Sequence, residues 1–187
     1  MRRGLRQKIL DFFTFPIRAF ALHYKDRWGL SCLATERFDF VATEAKGFCL
    51  DIGCGPHNRF IKEFVKGNGI GIDVYKYEGL NNDNILEDMT HLPFDSEAFD
   101  TVTFIANINH VPRPDRDAEL AEACRCLKPG GIIILTMGNP IVEVLVHKVI
   151  HLSDRFLGTS FDIDSERGME AEEGYYLTDR EIVQRLN

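Results

Sequence analysis

The sequence predicts an α/β fold, a Rossmann-like, open and mainly parallel sheet with helices on both faces. Three observations carry this. Short apolar runs alternate with segments of helical period along the 187 residues. The apolar runs are nearly continuous, as in strands covered on both faces, and do not alternate with polar residues. The first run also leads straight into two closely spaced glycines, in "GFCLDIGCGPHN" (47–58), with Asp51 one residue removed from the first of them.

The elements follow in chain order. Residues 4–27 predict two short helices divided at Pro16, because proline does not continue a helix interior. Leu5, Ile9, Phe12 and Phe13 give the first an apolar face, and Ile17, Phe20 and Ala21 the second. "ATERFDFVATEAKG" (34–47) reads as a helix with Phe38, Val41 and Ala42 inward and Gly47 as its stop. "FCLDIG" (48–53) is a strand, and "NRFIKEFVKG" (58–67) a helix with Phe60, Ile61, Phe64 and Val65 on one side. "GIGIDV" (69–74) is a strand and "NILEDM" (84–89) a weaker one. "FDTVTFIAN" (99–107) is a strong strand, followed by a helix over 114–127, a hard turn at "KPGG" (128–131) and the apolar strand "IIILTM" (132–137). Beyond these, 141–157 reads as helical, 160–178 as a loop or acidic cap, and Thr178 as the N-cap of a last helix. The implied organisation is a helical lid (1–46), a ligand-binding core (47–140) and a helical and acidic cap (141–187).

Composition narrows the function classes. The chain is 44% apolar and 27% charged, with a net charge of −7, which argues against a protein that lives on nucleic-acid backbones. The charge is uneven. Residues 1–28 hold seven Lys or Arg against Asp11 and Asp26, a net of +5 that leaves −12 on the remainder. Cys32, Cys49, Cys54, Cys124 and Cys126 form no CxxC pair, which fits reduced thiols in a cytoplasmic protein. No run reaches the ~18 apolar residues of a membrane span, and the basic start lacks the long apolar stretch of a secretory signal.

In parallel sheets ligands bind at the carboxyl ends of the strands, which is where the glycine turn falls. A dinucleotide fingerprint, GxGxxG, fits Gly53 and Gly55 but meets Asn58 at its third position. No Lys-Ser or Lys-Thr pair follows to make a Walker loop. With Asp51 included the pattern is DxGxG, and Asp73 ends the next strand eighteen residues after Gly55. A carboxylate there can accept both hydroxyls of a ribose. Asp88, after the weaker strand, is a candidate acceptor for an exocyclic adenine amine.

In order and spacing, "LDIGCG", "GIGIDV", "EDMTHLPF", "FDTVTFIANINHV" and "RCLKPGG" resemble the class I S-adenosylmethionine-dependent methyltransferases, in the broad branch acting on small molecules and lipids. The resemblance implies roles. Asp51, Gly53, Cys54 and Gly55 line the methionyl moiety, and Asp73 beside Val74 holds the ribose. Asp88 and the backbone of Met89 meet the adenine, and Asn107 sits near the sulfonium. The cofactor would be S-adenosyl-L-methionine and the product S-adenosyl-L-homocysteine. The family's last two strands are not evident. At position 57, where the family often has a third glycine, this chain has His57.

Methyl transfer needs proximity and orientation, and a base only when the acceptor atom carries a proton. His110, in "NINHV", is the candidate catalytic base. Cys54 and His57 are three apart, but the turn already explains them. His147 and His151 lack the Glu and third ligand of a zinc site, and "DIDSE" (162–166) matches no calcium loop, so no metal is expected. The expected partner is a small-molecule or lipid-like acceptor. The basic, aromatic N-terminus allows a lid in which Tyr24, Arg27 or Trp28 closes the site, with its cations near the cofactor carboxylate. It also allows weak contact with an anionic membrane surface through residues 1–28. The "IIILTM" edge calls for a cover: either the sequence is a fragment that lacks the family's last strands, or a second copy in a homodimer or residues 141–187 cover it. The rival functions are a non-catalytic S-adenosylmethionine-binding regulator and an NAD(P)-dependent oxidoreductase.

Overall fold

The computed structural model describes residues 3–22 and 25–137. The segments expected at 141–157 and 160–178, the helix after Thr178, and Tyr24, His147 and His151 lie outside them.

Four strands, β1 (Cys49–Ile52), β2 (Gly69–Ile72), β3 (Phe99–Ile105) and β4 (Leu127–Thr136), form one sheet in the order β2-β1-β3-β4. Every pairing is parallel. Side chains alternate between the faces of a strand, and here the two faces differ in kind. One carries Leu50 and Ile52, Ile70 and Ile72, Val102 and Phe104, and Ile133 and Leu135, packed with Leu120, Ala123 and Cys126 of helix α4 (Arg116–Cys126). Burying one such side chain contributes about 2–3 kcal/mol.

The other face is small and polar along β1, β2 and the first part of β3, with Ile105 and Ile134 adding apolar surface towards β4. Register aligns Gly69, Cys49 and Thr101 in one row and Gly71, Asp51 and Thr103 in the next. Over it lie α3 (Leu33–Glu44), through Val41 and Ala42, and a π-helical turn (Phe60–Phe64), through Phe60, Ile61 and Phe64. The glycines set how closely this layer approaches. A Cβ at Gly69 would stand 2.3 Å from the Cys49 carbonyl oxygen, and one at Gly71 would stand 2.2 Å from Asn58 Oδ1.

Several expectations need correction. The helix expected over 58–67 is a 3₁₀ turn (Pro56–Asn58) followed by the π turn, closed by Lys66 and Gly67, both at positive φ. Residues 84–89 are not a strand; only one parallel bridge, Asp73 to Ile85, forms there. "KPGG" does not precede β4 but bulges within it, because Phe99 pairs with Leu127 while Thr101 pairs with Ile132. β4 is an edge strand among the described residues, and its apolar side chains are half-buried.

The first two helices, α1 (Leu5–Phe13) and α2 (Phe15–Ala21), divide at Thr14, not at Pro16. Pro16 sits in the first turn of α2, where its missing N–H has no partner to lose. Their polarity is also inverted. Among the described side chains, which do not include those of Phe20 and Ala21, Asp11, Arg18 and Ala19 are buried, whereas Leu5, Ile9, Phe12, Phe13 and Ile17 are exposed. Arg3 Nη1 donates to Asp11 at 2.9 Å and Arg3 Nε to Asp39 at 3.3 Å. Arg18 Nη1 donates to the Asp11 carbonyl at 2.6 Å, and Arg18 Nη2 pairs with Glu36. Three of the seven N-terminal cations, Arg3, Lys8 and Arg18, are therefore held against carboxylates of α1 and α3 and are not aimed at a ligand. Burial raises the Asp11 pKa, but hydrogen bonds from Gln7, Ser31 and Arg3 outweigh it and leave the carboxyl below its ordinary range.

Gly69→Ala should lower the urea midpoint by an amount equivalent to roughly 1–3 kcal/mol, since a backbone carbonyl cannot swing aside. A midpoint unchanged from the parent would mean that β1 and β2 are farther apart than described.

Candidate functional site

The carboxyl ends of β1, β2 and β3 meet at the glycine turn. Gly53 N–H and Cys54 N–H both donate to the Ile72 carbonyl, at 2.9 and 3.0 Å, which draws the turn across the end of β2. Gly53 has φ +74°, and a Cβ there would collide with the Asn107 amide at 2.2 Å. The turn after β1 and the turn after β3 are thus in direct contact. Gly55 has φ +63° and open space where a Cβ would be. Its N–H donates to Asp73 Oδ2 at 2.9 Å, and Tyr75 N–H donates to Asp73 Oδ1 at 3.0 Å.

Asp73 is 5% exposed. Burial pushes its pKa up, and the backbone N–H groups of Tyr75, Gly55 and Val74 pull against that. Each carboxylate oxygen can still accept another hydrogen bond. Val74 and Tyr75 stand exposed beside it. Asp51, 1% exposed, lies beneath the turn and accepts from Thr103 Oγ1 at 2.6 Å. Desolvation, only partly offset by Thr103 and reinforced by the nearby Asp73 charge, raises it to about 7. The Cys54 thiol is pushed up by burial and by Asp51 and Asp73, which leaves it protonated and unreactive.

His57 takes φ +63°, the conformation a glycine would supply at that position. Its N–H donates to the Glu78 carbonyl at 2.7 Å, and its ring lies where a Cβ at Gly79 would be, 2.5 Å from Nδ1. The glycine missing at 57 is answered by one at 79. His57 Nε2 is 3.8 Å from Glu78 Oε2, so its ring is directed at Glu78. Asn58, at the third fingerprint position, is buried against Gly71; the small residue allowing close packing stands on the strand.

The remaining expected residues are placed differently. Asp88 is a surface residue whose Oδ1 accepts from Thr90 N–H and O–H at 2.8 and 2.6 Å, while Oδ2 meets His91 Nδ1 at 3.1 Å. These hydrogen bonds hold its pKa down. Met89 is buried in the core beside α4. No hydrogen bond links this pair to the glycine turn among the described residues. His110 N–H donates to the Asn107 carbonyl at 2.7 Å, so a tight turn joins the two. Ala106 precedes them at φ +54°, a strained conformation of the kind found at ligand sites.

Sequence reasoning missed two residues of α4. Arg116 is 1% exposed and donates to the carbonyls of Asn109 (3.0 Å) and Val111 (2.9 Å), gripping the loop on both sides of His110. Glu119 is buried, and its Oε2 has no partner among the described residues. Desolvation, with the nearby Asp115 and Asp88 charges, raises it to about 7. Both read as ordinary surface charges in "RDAELAEACRC". The signal that was available is Leu120 and Ala123, which share their buried face. A depression between Ala42, Cys49 and Phe64, bordered by Lys66 and Asn68, lies at the opposite, amino ends of the strands, away from the glycine turn.

Arg116→Met should cost roughly 2–4 kcal/mol in chemical denaturation, because two buried carbonyls lose a charged donor. Glu119 gives a pH signature. Its folded pKa lies above the ordinary 4.5, so its favourable contribution is complete below about 4.5 and is lost as pH rises through about 7. Glu119→Gln should therefore be more stable than the parent at pH 8, by up to about 3 kcal/mol, with the difference vanishing near pH 4.5. A variant less stable at pH 8 would mean that the carboxylate is paired.

Comparison with known proteins agrees with this geometry. Residues 50–135 match the family described as "Methyltransferase domain". A demethylmenaquinone methyltransferase from Lactobacillus johnsonii is 30% identical over 161 residues, 72% of this chain and 64% of that protein. A ubiquinone/menaquinone biosynthesis C-methyltransferase from Francisella tularensis is 40% identical over 55 residues, 29% of this chain and 21% of that protein. The chain thus spans less than two thirds of the length of either relative. An S-adenosylmethionine-dependent methyltransferase structure from Thermotoga maritima superposes with a TM-score of 0.55 at 19% identity, covering 97% of this chain and 76% of that one. The glycine turn, the carboxylate ending β2 and the parallel sheet that joins them lie within the stretch that matches the methyltransferase domain, and geometry and comparisons together support a class I S-adenosylmethionine-dependent methyltransferase.

Proposed function

We propose that this chain transfers a methyl group from S-adenosylmethionine to a small-molecule or lipid-like acceptor. The observation that carries the reading is the junction of three turns, where Gly53 packs on Asn107 and Gly55 is tied to Asp73. The donor set fits the cofactor. Asp73 keeps an acceptor site on each oxygen for ribose hydroxyls, and Val74 and Tyr75 offer apolar surface alongside. The open side of Gly55, with the backbone of Gly53 and Cys54, suits a methionyl chain, and Asp51 beneath supplies negative charge towards its ammonium. Asp88 and Met89 are the proposed adenine contacts. When bound, the cofactor supplies a methyl group on a positively charged sulfur, open to direct displacement.

The chain's own task is to orient the acceptor. Asn107 borders the place where the methyl group would lie. We assign His110 as the base, with Nε2 taking the acceptor's proton, because Nδ1 is shielded from solvent. Arg116 fixes the loop that carries it. The lipid-like acceptor class draws support from the two relatives, whose names refer to menaquinone and ubiquinone biosynthesis.

Calorimetric titration with S-adenosylmethionine and S-adenosylhomocysteine tests the cofactor assignment. Asp73→Asn should weaken both by roughly tenfold or more, through loss of charged hydrogen bonds, while the thermal midpoint verifies folding. Affinity should fall as pH drops below about 7, where Asp51 takes up a proton, and Asp51→Asn should flatten that dependence. Binding of NADH in preference to either sulfur compound by the folded protein would overturn the proposal.

A further inference from the structure

The N-terminal helical pair presents an apolar surface outward, and we infer that this surface docks on an anionic lipid bilayer. Leu5, Ile9, Phe12 and Phe13 recur at i, i+4, i+7 and i+8, which places them on one face of α1. All are at least half exposed, and Phe12 and Phe13 are 75% and 77% exposed. Phe15 and Ile17 of α2 extend the exposed set. The orientation is fixed by the opposite face, where Asp11 and Arg18 are buried in the ion network with Arg3, Glu36 and Asp39. The helix cannot roll over to bury its phenylalanines without exposing that network.

A second, independent feature is Trp28. It forms the turn between Arg27 and Leu30 with Gly29, at φ +55°, an unfavoured conformation for a bulky residue, and is 71% exposed. Gln7 of α1 donates to the Gly29 carbonyl at 2.9 Å, so this turn adjoins α1. Indole rings favour the boundary between water and lipid.

Charge selects among possible occupants. Arg6, Lys25 and Arg27 are exposed around these aromatics, and Lys8 is half exposed although 3.4 Å from Asp39. The acids in the same stretch are Asp11, which is buried, and Asp26, which is exposed between Lys25 and Arg27 and accepts from Cys32 N–H, so cations outnumber acids on this surface. The surface is therefore apolar with a cationic rim, on a chain whose remainder carries −12. A symmetric pair of copies meeting here would bring like charges together. Two adjacent, projecting phenylalanine rings, 5.4 Å apart and edge to face, form a wedge suited to entering a lipid layer.

Trp28 is the chain's single tryptophan, so its fluorescence reports on this surface alone. The full chain is titrated with phosphatidylcholine vesicles, with and without phosphatidylglycerol. A blue shift and co-sedimentation are expected with the anionic vesicles, suppressed by high salt. Arg6→Gln combined with Arg27→Gln should weaken binding roughly tenfold or more, and Phe12→Ser with Phe13→Ser should remove it; circular dichroism checks that both variants fold. Absence of vesicle binding by the folded parent overturns the inference. So does tryptophan emission already blue-shifted without lipid, which would mean another part of the chain covers the surface. A soluble dimer dissolved by the phenylalanine substitutions would assign the face to a second copy and likewise overturn it.

Discussion

The hydrogen bond from Gly55 N–H to Asp73 is the contact on which the site's geometry rests. It joins the turn after β1 to the end of β2, and it aims a buried carboxylate at the cleft between the turns. Burial alone would favour the protonated acid, and backbone donors from Gly55, Tyr75 and Val74 oppose it. These donors are already oriented by the strands, so the carboxylate needs no rearrangement to receive a ligand hydroxyl. Gly55 itself must be glycine because it combines φ +63° with ψ −170°, a region essentially closed to side chains with a Cβ, and the space beside it is open to a ligand. Backbone geometry and electrostatics therefore make the same demand at one residue.

That contact exists only because β1, β2 and the layer above them lie close together. Cys49 and Asp51, Gly69 and Gly71, Thr101 and Thr103 make this sheet face small, so a π-helical turn can press its phenylalanines against it. The same economy of volume explains the two departures from common glycine patterns. Asn58 fits because Gly71 yields the room, and His57 holds its left-handed conformation over Gly79. A loop position cannot be judged by its own residue type when its neighbour across the gap supplies the missing space.

This is also why some features were legible in the sequence and others were not. β1, β2 and β3 are apolar runs ended by turn residues, and each signal is local. The contact between Gly53 and Asn107 was not legible: both stand at carboxyl ends of parallel strands, but that these two strands are neighbours is seen only in the sheet order. "NILEDM" carries the composition of a strand, but residues 84–89 make only a single bridge to β2. In "KPGG" the turn is real, with Gly130 at φ +78°, yet β3 pairs with β4 on both sides of it. Arg116 and Glu119 were overlooked because a buried charge is written with the same letters as a solvated one, and only the face they share with Leu120 and Ala123 marks them.

The N-terminal helices show the limit most plainly. Periodicity reveals that a helix has an apolar face but does not say which way that face points. Here the direction is decided by charges far apart in sequence: Arg3 reaches Asp39 on α3, and Arg18 reaches Glu36. A buried ion network is costly to desolvate and adds little net stability, but it is intolerant of rearrangement, because each charge left alone would be strongly unfavourable. It therefore holds α1 and α2 on α3 in one orientation. A fold stabilised only by apolar burial would have turned Phe12 and Phe13 inward. Their exposure follows from an arrangement in which polar pairing, not apolar burial, sets the geometry.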